Sequence, residues 1–191
     1  MGLTILSYSI KNIAFVIKKL QEKNIDAVII GDTSIQLALG HSVFEGDLDL
    51  FVISHSPIAD KEVFEKLAEE AGWEISTTEL GTPSLVVPVE RGNLIVELYE
   101  NYMDVEIPIE ILEDTIEYRI EGVKVKAIRP EYYIVLKARQ GIDLDKLGRY
   151  IRELKTKGLN TKLVEYAISL YLEDEQELIK SRLEQAGLEI T

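Results

Sequence analysis

Residues Val28 to Val52 read VIIGDTSIQLALGHSVFEGDLDLFV. The apolar run Ala27–Ile30 stops at Gly31, and a short Ser/Thr-started segment, Ser34–Leu39, reads as a helix closed by Gly40. After a polar loop the chain enters a strand carrying Asp47 and Asp49. Strand side chains alternate, so these two carboxylates share one face while Leu48 and Leu50 take the other. Two residues along a strand span about 6.5 Å, room for one divalent cation or a close pair between the carboxylates. Strand, glycine turn, short helix and an Asp-x-Asp strand form a layout suited to metal-assisted phosphoryl chemistry.

Upstream, Ile10, Ile13, Ile17 and Leu20 fall at helical spacing between Ser9, a good N-cap, and Asn24, a good stop. Downstream, the Asp47 strand runs to about Ile53, and Ser56 and Pro57 open a second helix that buries Val63, Phe64, Leu67 and Ala71 and ends at Gly72. Trp73–Thr78 and Leu85–Glu90 read as strands around the turn GTPS, and a second turn, ERGN at 90–93, leads into LIVELY from Leu94. In that strand Ile95 and Glu97 lie on one face, opposite Leu94, Val96 and Leu98. An unpaired buried charge is costly, so either the strand end is exposed or Glu97 has a cation to bind. Residues 101–117 are acidic and carry no clear period; Met103–Ile107 reads as a strand extension or as loop. Glu121–Ile128 is a late strand with Lys124 and Lys126 facing away from Val123 and Val125.

From Glu131 the period is helical throughout, with helices expected at about 131–139, 143–157, 161–171 and 174–186. Gly158 and Gly187 sit just past helix ends, and Asn160 or Thr161 caps the third. The expected fold is α/β (α+β): a mixed sheet flanked by helices over residues 1–129, then a helical C-terminal region, 130–191, packed on it. No internal repeat and no low-complexity linker divides the two.

Composition narrows the chemistry. The chain has 191 residues, 46% hydrophobic and 29% charged, enough for a real core. Zero cysteines exclude a disulfide framework, thiolate catalysis and zinc-finger sites. His41 and His55 are too few for a histidine metal site and, like Trp73, read as loop, loop and core. MGLTILSYSIKN lacks the basic start and long apolar core of a signal peptide, and no apolar run nears the ~20 residues of a membrane helix. A cytoplasmic location without membrane contact is the expectation. A net charge of −13 repels phosphate backbones and disfavours nucleic acid, but a nucleotide held through a metal ion remains compatible with it. Absent Cys with many Glu, Lys and Ile also suits a thermophile.

Neighbouring strands lie about 4.8 Å apart, so Asp47, Asp49 and Glu97 converge if their two strands are adjacent. Three carboxylates on one rim suit Mg²⁺, and two such ions can clamp the attacking and leaving oxygens of an in-line displacement. The Gly31 turn and the helix start after it would offer backbone N–H groups to a triphosphate, and Lys137 could reach a phosphate as a point charge. Each piece alone has a bland explanation: Asp-x-Asp is common in solvated turns, Glu97 could sit on an edge strand, Gly31 could be a turn glycine and Lys137 a solvated lysine. Their order along the chain is what joins them. The rival phosphate loop GxxxxGK[ST], the GxGxxG fingerprint and the GxSxG elbow are all absent.

Gly31 to Asp49, followed by Glu97, resembles the signature of the nucleotidyltransferase-fold superfamily, the fold of DNA polymerase beta and the minimal antitoxin-type nucleotidyltransferases. There a strand ends in Gly-Gly or Gly-Ser, a short helix follows, the next strand carries hDhDh, and a later strand supplies a third acid. PEYYIVLKARQGIDLDKL (Pro130–Leu147) is similar to the later segment of small prokaryotic members with a helical tail, with Lys137 as its lysine and Asp143 or Asp145 as its downstream acid. The resemblance covers roughly residues 27–147. It implies Mg²⁺ on Asp47, Asp49 and Glu97, with Glu97 helping to activate the attacking hydroxyl. It also implies an NTP whose triphosphate is cradled by Gly31, Thr33 and Ser34 and supported by Lys137. The acceptor could be a partner protein's side chain, a small molecule or an RNA end, the acidic chain arguing mildly against RNA; the oligomeric state stays open. One position departs from the pattern: Asp32 replaces the second small residue, and its charge would repel a triphosphate unless it turns away or meets a metal. HSVFEG also lacks the basic residue often found before the first aspartate. The alternative expectation is therefore a catalytically weak or inactive, antitoxin-like binding module that acts through a protein partner.

Overall fold

The computed structural model describes residues 7–190; residues 1–6, on which the signal-peptide reading partly rests, and residue 191 lie outside it. In chain order the elements are β1 (Ser7–Ser9), α1 (Ile10–Gln21), β2 (Ala27–Ile29), α2 (Asp32–Ala38), β3 (Val43–Glu45), β4 (Leu48–Val52), α3 (Lys61–Ala71), β5 (Glu74–Thr77), β6 (Pro83–Val89) and β7 (Gly92–Tyr99). Then come α4 (Ile109–Glu113), β8 (Thr115–Ile120), β9 (Val123–Ile128), α5 (Pro130–Gln140), α6 (Leu144–Lys157), α7 (Thr161–Ser169) and α8 (Glu173–Gln185). Two compact units result, one reaching to Glu106 and adding Thr115–Ala127, the other formed by Ile107–Asp114 and the chain from Ile128.

The first unit is built on a seven-stranded mixed sheet of order β5-β6-β7-β4-β2-β9-β8. β4 runs parallel to β7 and antiparallel to β2, which is parallel to β9. Leu48, Leu50, Leu94, Val96 and Leu98 line one face and join Ile13, Ile17, Leu20, Phe64 and Leu67 in a continuous core. That face is apolar because every second residue of β4 and β7 is, which leaves Asp49 and Glu97 on the reverse side. α1 starts where expected: Ser9 and Asn12 form a reciprocal capping box. α3 ends at Gly72 in the left-handed region, as a C-terminal glycine does.

Several boundaries differ from the sequence reading. The supposed polar loop before Asp47 contains β3, which pairs antiparallel with β1 in a separate two-stranded ribbon, Tyr8 facing Phe44. Three-residue strands carry too little alternation to be read singly. α2 begins at Asp32 rather than Ser34, with Gly31 at its N-cap position. β4 begins at Leu48, because Gly46 at φ +87° bends the chain just ahead of Asp47, which therefore precedes the strand instead of lying in it. Ser56 and Pro57 lie in a turn, the Ser56 N–H bonding the Asp60 carboxylate, and α3 starts only at Lys61. The stretch 101–117 holds α4 and the start of β8, which turns into β9 through Glu121 and Gly122, both at positive φ.

The second unit matches the four expected helices to within a few residues, with Asn160 capping α7 and Gly158 closing α6. Within it the Arg182 guanidinium donates to the carbonyls of Ala138 and Arg139, and Arg139 pairs with Glu175 while lying over the Tyr171 ring. His41 and His55 stand outside helices and strands, and Trp73 is buried, edge-on to Phe15. Among the described residues no helix is long and apolar enough to cross a membrane.

Candidate active site

Parallel pairing of β4 with β7 sets Asp49 directly opposite Glu97. Side chains of register partners share a face, so two acids that are 48 positions apart in sequence become neighbours. Burial raises the Asp49 carboxyl well above the usual carboxylate range, and the Glu97 charge, the Asp47 charge and a hydrogen bond with Glu97 raise it further. Asp47, although exposed, is also raised, first by desolvation and then by the Glu97 charge. The Tyr99 hydroxyl, on the same face two residues beyond Glu97, donates to its Oε2; burial and that bond push Tyr99 above its ordinary value. The three acids singled out from the sequence thus share one electrostatic neighbourhood.

Gly31 leaves the space that Asp49 fills. A Cβ on Gly31 would fall 1.8 Å from Asp49 Oδ2 and 2.9 Å from Asp49 Cβ, so any side chain there would displace the carboxylate. The need is for close approach, since the Gly31 backbone, at φ −84°, is ordinary. Thr33 and Ser34 are both buried with their hydroxyls turned inward. Ser34 Oγ donates to the Gly31 carbonyl at 2.7 Å, and Thr33 Oγ1 bonds the Tyr8 hydroxyl at 2.5 Å. Both hydroxyls are thus spent on bonds within the protein.

Asp32 opens α2, and its charge is the smallest of the influences that raise Asp49. Lys137 is half-buried on α5, in the second unit. Asp143 caps α6, its Oδ1 accepting from the Lys146 N–H at 3.2 Å, and Asp145 lies in the first turn of the same helix. Sequence reasoning passed over Tyr8 and Tyr99. Alternation along LIVELY already placed Tyr99 on the Glu97 face; nothing local marked Tyr8, whose position depends on the β1–β3 pairing.

The donor set fits a hard divalent cation. All three groups are carboxylates, and the charges that shift Asp49 most, from Glu97, Asp47 and Asp32, are all negative. Among the described residues no three His, Asp or Glu side chains already converge on a single cation position. A hydrogen bond with Glu97 and the negative charges around it both favour the neutral form of the Asp49 carboxyl.

Residues 9–185 match the model of the family described as nucleotidyl transferase of unknown function (DUF2204). The chain belongs to this family. Among solved structures, the nucleotidyl transferase fold found here is similar to that of an antigenic nucleotidyltransferase-like protein from Paracoccidioides brasiliensis, at a TM-score of 0.60 and 18% identity, covering 95% of this chain and 91% of that one. The antibiotic-resistance factor ANT(2'')-Ia in solution aligns at a TM-score of 0.46 and 19% identity, with 92% of each chain covered. At 18% identity the first of these likenesses is one of fold. No curated protein sequence matches the chain. The strand–turn–helix–strand layout, with Glu97 on the strand beside β4, is thus carried by a mixed α/β nucleotidyltransferase fold.

Proposed function

We propose that this protein is a Mg²⁺-dependent nucleotidyltransferase that moves a nucleoside monophosphate from an NTP to a hydroxyl, with Asp47, Asp49 and Glu97 as its metal-binding acids. The observation that carries the reading is the in-register apposition of Asp49 and Glu97 beside a glycine that cannot bear a side chain. Membership of a nucleotidyl transferase family and the nucleotidyltransferase-like fold support it. Divalent cations at such acids supply charge neutralisation to the phosphates and lower the barrier to in-line displacement. Glu97 faces the site from β7 and accepts a hydrogen bond from the Tyr99 hydroxyl, which orients it as the group to take a proton from an attacking hydroxyl. The Gly31–Ser34 segment offers backbone to the triphosphate. The acceptor is a protein side chain or a small molecule, and the acidic surface disfavours nucleic acid.

Asp32 favours a second reading. Its charge adds to the acidic cluster, which weakens triphosphate binding and is compatible with an antitoxin-like module that keeps the fold and acts through a protein partner. Calorimetric titration of ATP, GTP, CTP and UTP with and without Mg²⁺ separates the two. The transferase reading expects Mg²⁺-dependent binding of a nucleotide, lost in the Asp47→Asn/Asp49→Asn double variant. Absence of binding at millimolar nucleotide would sink it in favour of the module. The choice of third acid has its own control: if Glu97→Ala keeps binding and transfer while Asp104→Ala or Glu106→Ala abolishes them, Glu97 is the wrong residue.

A further inference from the structure

Tyr8 is 2% exposed and belongs to no part of the chemistry so far described, yet its hydroxyl reaches two separate pieces of the site. It bonds Thr33 Oγ1 at 2.5 Å and donates to the Asp47 carbonyl at 3.3 Å. Thr33 lies in the first turn of α2, just after β2; Asp47 lies in the bend between β3 and β4. The proton count orders the contacts. A phenol has one proton, and the Asp47 carbonyl can only accept, so Tyr8 donates to Asp47 and the Thr33 hydroxyl donates to Tyr8. The chain Thr33–Tyr8–Asp47 then uses both protons, and each buried oxygen has a partner.

Packing alone does not call for this hydroxyl. The ring stacks on Phe44 at 5.6 Å between centroids, and a phenylalanine would fill the same space without bringing a polar atom into the core. What the hydroxyl adds is a direct link between turn and acidic bend, beside the antiparallel β2–β4 ladder in which Ile29 pairs with Leu50 and the Ile30 N–H donates to the Asp49 carbonyl.

We infer that Tyr8 is a positioning residue, its hydroxyl holding the Gly31–Ser34 turn in fixed relation to Asp47 so that phosphate-binding backbone and metal-binding carboxylate are presented together. This rests on the nucleotidyl-transfer reading above and adds a residue to it. Misplacing such groups by about an ångström is costly to a preorganised site, whereas an ordinary core contact affects stability alone.

The test compares Tyr8→Phe, Thr33→Val, the double variant and Phe44→Leu, measuring by calorimetry the affinity for the nucleotide that the wild type binds with Mg²⁺, and Tm alongside. Tyr8→Phe is expected to weaken binding roughly 5- to 10-fold, the effect of one buried hydrogen bond. Thr33→Val should lose a similar factor, and the double variant no more than either single, because both cut the same chain. Phe44→Leu should lower Tm while holding affinity within about two-fold, since it thins the packing and spares the hydroxyl link. Wild-type affinity in Tyr8→Phe, additive losses in the double variant, or an equal loss in Phe44→Leu would each overturn the inference. If Tyr8→Phe does not fold, Thr33→Val breaks the link from its other end and decides alone. A wild type that binds no nucleotide overturns the nucleotidyl-transfer reading itself, and this inference with it.

Discussion

Asp49 occupies a place where its own charge is unwelcome. Burial and three nearby acids hold it well above the usual range, so the folded protein takes up a proton there that the unfolded chain does not need. The raised value fixes the sign of the linkage: stability at this position is greatest below the unfolded pKa, about 3.9 for Asp, and declines as pH rises above it toward the folded value. Asp49→Asn removes the titration and retains a donor toward Glu97. The metal-free variant should therefore melt about 2–4 °C above wild type at pH 7, the response to roughly 1 kcal/mol in a chain of this size, with the gap closing near pH 4. A lower Tm at pH 7, measured by calorimetry without divalent cations, would contradict this account. Such a cost fits a residue kept for what it binds.

At the scale of elements, β7 and β4 carry the site, and their apolar faces fix which way its acids point. Leu48, Leu50, Val96 and Leu98 are buried, so the alternate residues Asp49 and Glu97 have one face left. In the second unit, α4 is joined to the start of α5 by Asp114, which accepts from Arg129 at 2.7 Å and Tyr132 at 2.5 Å. The Arg129 bond, and with it the Tyr132 bond, holds Asp114 below its ordinary value against some desolvation. A lowered carboxyl contributes stability above its unfolded pKa and loses it as pH falls through the folded one, here below about pH 4. Asp114→Asn should cost about 0.5–1 kcal/mol at pH 7, modest because both partners are more than a third exposed, and close to nothing at pH 3. Denaturant melts at the two pH values measure it; an equal deficit at both would show that charge is not the cause.

For the molecule as a whole, the proposed ligand and the fold are linked. Whatever binds only the native state stabilises it by mass action, about 2.7 kcal/mol at a hundred times Kd. Mg²⁺ with the bound nucleotide at that excess should raise the transition of the acid-bearing unit by roughly 5–10 °C, and neither alone should do as much. Scanning calorimetry checks this, and a transition unmoved by the pair would count against the site. The net charge of −13 sharpens the comparison, since metal-free nucleotide meets a repulsive field.

Local pattern was enough for much of this. The cap at Ser9, the alternation of LIVELY, the stop at Gly72 and the helices after Glu131 were legible because each is written within one turn or one strand. β1, β3 and β8 were not, because two of them are three residues long and β8 sits in an acidic stretch without a clear period; strands of that kind exist by virtue of partners distant in sequence. Sequence by itself determined the fold class and the apolar faces of β4 and β7, since alternation and turn chemistry are properties of neighbouring residues. Only the tertiary structure decided that Glu97 stands opposite Asp49, that Asp49 needs a glycine at 31, and that Tyr8 links the turn to Asp47. Those are facts of register and close approach, and they arise only when segments far apart in the chain are brought within a few ångströms.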